Sequence, residues 1–139
     1  MTKNEKDLLL KDLCARLPYG VRCSFGVDDA VYEITGINPS ACGASEIQAT
    51  HIKSGINGDF TISSCKPYLF PLSSMTKEQK EELQELYFDY VPDEIFNNIE
   101  FVYHYDCIHL IDWLYKNHFD VNGLIPLDLA KDATGLNIY

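Results

Sequence analysis

Residues 20–37 read GVRCSFGVDDAVYEITGI, and this stretch decides the fold of the chain. From Val21 to Phe25 apolar residues alternate with polar ones, which is the period-2 pattern of a half-buried strand. The two aspartates at 28–29 supply a turn, and residues 31–34 then begin a second strand. The apolar residues therefore change from the helical period of 3.6, which holds before residue 20, to the strand period of 2.

Two further strands are predicted downstream of this pair. Residues 47–52 form the third strand, and Phe60 and Ile62 alternate with polar residues in a fourth that ends near Cys65. The intervening Ser-Gly-Ile-Asn-Gly run reads as a hairpin connection, in which Asn57-Gly58 suits positive φ. Four strands joined by short turns predict an antiparallel meander with one solvent-facing side.

The first helix is predicted from its capping residues. Thr2 and Glu5 form a capping box, in which each side chain bonds the backbone N–H of the other residue. The helix should run to about Leu17, because Pro18 cannot continue it. The residues expected to pack on the rest of the protein share one stripe of this helix, namely Leu10, Leu13, Cys14 and Leu17, widened by Leu9.

The segment 66–72 is apolar but contains Pro67 and Pro71. Since proline has no N–H for a sheet ladder, this segment is predicted to be extended but a poor central strand. We expect it to lie across the sheet edge or under a helix.

The second half of the chain alternates between helix and strand. Thr76-Lys77-Glu78-Gln79 is a second capping box, and its helix should run to about Tyr90. Residues 98–105 resemble a fifth strand, and Asp106 is the expected N-cap of a third helix that ends at Asn117.

These elements predict a single α+β domain over residues 1–139 in the order α-β-β-β-β-α-β-α. The antiparallel sheet should have four to five strands, with about three helices packed on one face. A chain of 139 residues with 46% hydrophobic composition can bury a core of its own.

Composition also sets expectations about location. No apolar run approaches the roughly 18 residues of a membrane span, and the charged N-terminus does not resemble a signal peptide. The five cysteines are an odd set with no Cys-x-x-Cys pair, which indicates reduced, mostly buried thiols. We therefore expect a cytoplasmic protein with no membrane partner and no cofactor.

Most of the net charge lies in one quarter of the chain. Residues 78–112 contain ten acidic side chains and one basic side chain, so this stretch carries −9 of the formal net charge of −10. Direct binding to nucleic acid is disfavoured, because neutralising phosphates requires clustered Lys and Arg. A protein partner with a basic surface fits the sign of the charge.

Four of these acids share one line on the second predicted helix, namely Glu78, Glu82, Glu85 and Asp89. Like charges four residues apart cost a few tenths of a kcal/mol each, so the stripe is mildly destabilising. It is either a solvated face that maintains solubility or a protein-binding surface whose basic partner relieves the repulsion.

One cluster, His104, Asp106, Cys107 and His109, contains the side-chain types that bind zinc. The alternative is structural, with His104 on a strand and His109 on the polar side of the third helix. Since no phosphate loop, nucleophile elbow or metalloprotease motif is present, we predict no catalytic residue. A small metal- or thiol-dependent enzyme centred on 104–109 remains an alternative to the binding protein, as does a homo-oligomeric structural or assembly component.

Three parts of the sequence together suggest a family. They are LPYGV at 17–21, KPYLFPLSSMT at 66–76, and DWL at 112–114 followed by HFD at 118–120 and GLIP at 123–126. In order and content they resemble small uncharacterised proteins of phages and integrated mobile elements of Bacteroides-type gut anaerobes. The resemblance implies an accessory protein in the cytoplasm of a bacterial host, and it implies no catalytic residue.

Overall fold

The computed structural model describes residues 1–26, 30–38, 46–87 and 108–139. Within these ranges the α-helices are α1 (Lys3–Arg16), α2 (Lys77–Tyr87) and α3 (Ile108–Lys116). The strands are β1 (Arg22–Ser24), β2 (Tyr32–Ile37), β3 (Ile47–His51), β4 (Asn57–Phe60), β5 (Lys66–Leu69) and β6 (Lys131–Asp132). Short 3-10 turns occupy Leu17–Tyr19, Ile62–Ser64 and Leu72–Ser74. The predicted α+β class is confirmed.

The strands form one mixed sheet in the order β4-β3-β2-β1-β5-β6. The predicted meander is confirmed, because β1 to β4 pair antiparallel with their neighbours in the chain. The sheet then continues through β5, antiparallel to β1, and through β6, parallel to β5. The described sheet thus has six strands, one more than the upper limit expected. The strand predicted at 98–105 lies outside the described residues.

Segment 66–72 begins as an extended strand, as predicted, but its expected position was wrong, because β5 lies inside the sheet between β1 and β6. Pro67 is tolerated there because β5 pairs with β1 and with β6 at different residues along its length. Pro67 pairs with Cys23 of β1, whereas pairing with β6 begins one residue later, at Tyr68. The missing N–H therefore removes no bond on the β6 side.

The connection between β3 and β4 also differs from the prediction. The positive φ belongs to Gly55, at 69°, and its N–H donates to the His51 carbonyl at 2.8 Å. Asn57 and Gly58 lie in β4 rather than in the turn. Ile62 leaves the strand pattern for a 3-10 turn, where its N–H donates to the buried Glu46 carboxylate at 2.9 Å.

Both capping boxes are confirmed. The Thr2 N–H donates to Glu5 Oε2 at 2.6 Å, and the Glu5 N–H donates to Thr2 Oγ1 at 3.3 Å. The Thr76 N–H donates to Gln79 Oε1 at 2.9 Å, and the Gln79 N–H donates to Thr76 Oγ1 at 3.2 Å. The sequence therefore encodes where α1 and α2 begin.

The larger core lies between α1 and one face of the sheet. Its fully buried members come from α1, the strands and the segment after α3, and include Leu9, Leu13, Val21, Cys23, Ile34, Ile47, Leu69 and Leu124. The opposite face carries exposed polar residues of the meander strands, including Thr35, Gln48, Asn57 and Asp59. The meander thus has the predicted solvent-facing side.

The inner face of α1 differs from the predicted stripe because it carries a charged pair. Asp12 and Arg16 are both fully buried, whereas Cys14, which was expected to be buried, is exposed. Arg16 Nε donates to Asp12 Oδ2 at 2.7 Å, and Arg16 Nη2 donates to Asp12 Oδ1 at 3.1 Å. The same Nη2 donates to the Phe119 carbonyl at 2.6 Å, and Asn122 Nδ2 donates to Asp12 Oδ1 at 2.8 Å. The pair therefore links α1 to the segment after α3.

The end of α3 supplies that segment in the required position. His118 adopts a left-handed φ of 60°, its N–H donates to the Tyr115 carbonyl, and the Phe119 N–H donates to the Leu114 carbonyl. This is the Schellman arrangement, which ends a helix and reverses the chain. The Phe119 N–H is thereby used in the helix cap, and its carbonyl accepts from Arg16.

A second cluster joins α2 and α3 to the segment after β5. Its buried members are Met75, Leu83, Leu110, Trp113, Leu114, Phe119 and Val121. The Trp113 and Phe119 rings stack with centroids 5.9 Å apart. In the part of the chain that the structure describes, no helix has the length and apolar character needed to cross a membrane.

We predict that Arg16→Met lowers the free energy of unfolding by about 3–5 kcal/mol, because it leaves the buried Asp12 charge without its cation. The double variant Asp12→Leu/Arg16→Met should recover much of this loss, since it removes both charges. Urea denaturation measures both effects. Lys11→Met, on the exposed side of the same helix, is the control and should change stability little. Equal losses for Arg16→Met and Lys11→Met would contradict the assignment.

Candidate functional site

The acidic face of α2 is the protein-binding surface that the sequence predicts. Three of its four predicted members, Glu78, Glu82 and Glu85, are described and exposed. The fourth, Asp89, lies outside the described residues. With a rise of 1.5 Å per residue, Glu78 and Glu85 are separated by about 10 Å along the helix axis. The described part of this face is therefore a short row of carboxylates.

The opposite side of α2 fixes the helix on the protein. Leu83 is fully buried in the cluster with Met75, Leu110 and Trp113. The Trp113 indole N–H also donates to Glu82 Oε1 at 3.1 Å. One member of the acidic face is thus held by α3, and Leu83 sets the rotation of the helix so that the other carboxylates face solvent.

Local contacts favour the charged state at the start of the row. The pKa of Glu78 is lowered by a hydrogen bond from its own backbone N–H and by one from the Thr76 side chain. These groups lie in the first turn, where the helix dipole also favours negative charge. The ion pair that the structure gives for α2 is between Lys77 and Glu81, at 3.5 Å on the exposed surface. It involves none of the three described carboxylates of the row.

The candidate metal cluster is described at one position. His104, Asp106 and Cys107 lie outside the described residues, whereas His109 is exposed on α3. On the same helix, Asp112 accepts a hydrogen bond from the Tyr19 hydroxyl, and this bond raises the pKa of Tyr19. Among the described residues there is no group of three or more His, Cys, Asp or Glu side chains that could hold a metal ion. The metal site at 104–109 stays a prediction.

His118 is a strongly perturbed titratable group, and its position directly after the helix predicts a terminating role. Its side chain is buried, and its ring stacks on Tyr139 with centroids 3.7 Å apart. Burial lowers the pKa of His118 to about 4, helped by the nearby charges of Arg16 and Arg22. Its Nδ1 is buried and has no hydrogen-bond partner among the residues that the structure describes. His118 is therefore a neutral ring at the end of α3, and its function there is to terminate the helix and pack against Tyr139.

Asp120 is also buried, and its position after α3 likewise predicts a role in ending the helix rather than in catalysis. Its carboxylate accepts from the backbone N–H groups of Leu124 and Ile125 at 2.8 and 2.9 Å. Burial raises the pKa of Asp120, although these two hydrogen bonds oppose the rise. The residue fixes the turn that follows α3, which is a structural role.

The described cysteines divide by burial. Cys14 is exposed on α1, whereas Cys23 and Cys65 are buried in the main core. Burial raises the pKa of Cys65 well above its ordinary value, with a further rise from the neighbouring Cys23. A buried thiol with a raised pKa is a poor nucleophile, because the thiolate is the reactive form.

Comparisons with protein-family models, with curated proteins and with solved structures gave no significant match to this chain.

We predict that His118 makes stability fall with acidification. Because its pKa is about 4 in the folded chain and near 6.5 when unfolded, the unfolded chain binds the proton more readily between these values. The contribution of the neutral His118 ring to the free energy of unfolding is complete above about pH 6.5. It is lost as the pH falls toward 4, and by pH 5 the free energy of unfolding is lower by about 2 kcal/mol. Urea denaturation across this range measures it.

The matched variants for this prediction are His118→Asn and His109→Gln. Asparagine tolerates the left-handed backbone of residue 118 and has no such titration, so His118→Asn should flatten this part of the pH profile. His109→Gln, at an exposed position of α3, should leave it unchanged. An identical profile for the wild type and His118→Asn would contradict the prediction.

We predict that iodoacetamide modifies Cys14 in the folded protein much faster than it modifies Cys23 or Cys65, because only Cys14 among these three is exposed. Peptide mass spectrometry over a time course gives the rate at each cysteine. All three should react at similar rates once the chain is unfolded in urea. Modification of Cys65 as fast as Cys14 under native conditions would show that the core around β5 is open.

Proposed function

We propose that this chain is a non-enzymatic, protein-binding accessory factor that contacts a basic partner through the acidic face of α2. The observation that carries the proposal is the row formed by Glu78, Glu82 and Glu85, which is exposed to solvent on an anchored helix.

The distribution of ion pairs supports this proposal. Among the described residues, four basic side chains of the first half pair with acids outside the row. These pairs are Lys6 with Glu46, Arg16 with Asp12, Arg22 with Glu33, and Lys66 with Asp128. The negative field of the row is therefore available to a partner from outside the chain.

The anchoring of α2 favours binding for a second reason. A partner that docks on a preformed surface does not have to order that surface, so less of the interaction energy is lost on association. Leu83 fixes the helix, and Trp113 holds the Glu82 carboxylate. The row is thus organised before a partner arrives.

The expected energetics are those of an electrostatic encounter. Exposed ion pairs contribute about 0.2–1 kcal/mol each, so three carboxylates give modest affinity but a faster association rate. A basic partner also relieves the repulsion between like charges one turn apart. Binding should accordingly weaken as salt is added, because ions screen exposed charges.

The biological setting in this proposal is a phage or integrated mobile element in the cytoplasm of a bacterial host. Its support is the resemblance of the segments at 17–21, 66–76 and 112–126 to proteins of such elements.

We predict that Glu78→Gln/Glu82→Gln/Glu85→Gln abolishes capture of the partner. Glutamine keeps the helix propensity, and its amide oxygen can still accept from the Trp113 indole. Wild type and variant are immobilised, exposed to lysate of a Bacteroides-type host and eluted with a salt gradient. Retained proteins are identified, and their cross-links to Lys77 and Lys80 are mapped.

The matched control is Asp7→Asn/Asp59→Asn/Asp132→Asn, which removes three exposed charges outside α2. We expect it to retain the same basic protein as the wild type, with cross-links on α2. Retention of that protein by all three forms, or cross-links confined to other elements, would show that the row is only a solvated face.

A further inference from the structure

A groove of about 530 Å³ lies where β1 and β2 begin and β3 ends, beside the last residues of the chain. We call it the tail groove and define it by the lining residues Arg22, Val31, His51, Ile52, Lys53 and Ile138. Its volume falls within the range of small-molecule sites. The solvated face of the meander also has a polar depression of about 280 Å³, but the described residues that line it include no basic side chain.

The wall of the tail groove is held in place by Arg22 and Tyr139. Arg22 Nη1 donates to the Ile138 carbonyl, and the guanidinium lies 5.5 Å from the centre of the Tyr139 ring. The Tyr139 hydroxyl accepts from the Arg22 N–H at 3.1 Å and donates to the Tyr68 carbonyl at 2.8 Å. The final residues are therefore bonded to β1 and β5, and the groove is formed before any ligand binds.

Among the described residues, the lining of the tail groove includes Arg22, His51 and Lys53 and no acidic side chain. Lys53 is exposed and forms no ion pair with any residue in the described ranges. Within the described part of the chain, Arg22 Nε is buried without a hydrogen bond, and its ion pair with Glu33 is long, at 4.0 Å. On a chain with a net charge of −10, the positive charges of Lys53 and Arg22 at one groove favour an anion.

The third basic residue offers a defined donor. His51 Nδ1 accepts the backbone N–H of Ser54 at 3.3 Å and lies 2.6 Å from the Ser54 hydroxyl. Because Nδ1 is an acceptor, the neutral ring carries its proton on Nε2. Nε2 can therefore donate to an acceptor atom of a ligand.

The remaining lining of the tail groove is apolar. Val31, Ile52 and Ile138 contribute it, and Ile52 exposes 41% of its surface. Ile56, in the same β3–β4 connection, exposes 68%. Aliphatic side chains next to basic groups match a ligand with a hydrocarbon part and a negative end. We infer that the tail groove binds an aliphatic carboxylate, with the carboxylate near Lys53 and Arg22 and the chain against Val31, Ile52 and Ile138.

Hexanoate is a suitable probe, and hexanamide is its neutral match. Protein labelled at isoleucine methyl groups is titrated with each compound and followed by NMR. We expect saturable shifts at Ile52 and Ile138 with hexanoate, with a Kd of about 1 mM for so small a ligand. Ile62, which is buried in the core, should not shift. Hexanamide and inorganic phosphate should bind at least about five-fold more weakly, since each lacks one of the two features of the ligand.

Two variants distinguish binding in the tail groove from a nonspecific effect of the protein's net charge. Lys53→Gln should weaken hexanoate about five-fold. Lys3→Gln removes the same charge from an exposed position of α1 and should leave binding unchanged. Because Lys53 is exposed, its variant should fold normally, and an unchanged Ile62 methyl signal checks this. Absence of saturable shifts at Ile52 and Ile138, equal binding of hexanamide, or equal losses in both variants would overturn the proposal.

Discussion

The buried ion pair between Asp12 and Arg16 is the constraint on which the arrangement of the helices depends. Both side chains are fully buried on the inner face of α1, and each makes a further bond to the segment after α3. A buried charge that loses its partner is strongly destabilising, so this segment must keep its position for α1 to pack. The cation acts on its surroundings as well, because its charge helps to lower the pKa of His118. The pair thus ties α1 to the segment after α3, and its cation adds to the effect of burial on the pKa of His118.

The surface of the protein is divided between two signs of charge. The acidic face lies on α2, which the small cluster around Leu83 and Trp113 holds in place. The tail groove lies at the ends of β1, β2 and β3 and is lined by basic and aliphatic residues. The two proposals concern different elements and opposite charges, so a basic partner protein and an organic anion would not compete for one surface. Each surface is preformed by packing on its own part of the fold, which favours binding without reordering.

Local features of the fold could be predicted because a few neighbouring residues determine them. The capping boxes at Thr2 and Thr76 and the first four strands follow from patterns shorter than ten residues. Sequence reasoning failed where distant segments decide the outcome. The place of β5 depends on β6, which is more than sixty residues away and only two residues long. The buried pair of Asp12 and Arg16 was not predicted, because the partners of these side chains at Phe119 and Asn122 are far along the chain.

The amino-acid sequence by itself determined the α+β class, the starts of α1 and α2, the meander, and the gathering of carboxylates on one side of α2. Each of these follows from backbone hydrogen-bonding needs and from apolar periodicity, which act over a turn or a strand. Only the tertiary structure decided which charges are buried, where the chain after α3 lies, and that Arg22, His51 and Lys53 line one groove. The reason is physical: burial and electrostatic environment depend on segments that folding brings together, and no local pattern records which segments these are.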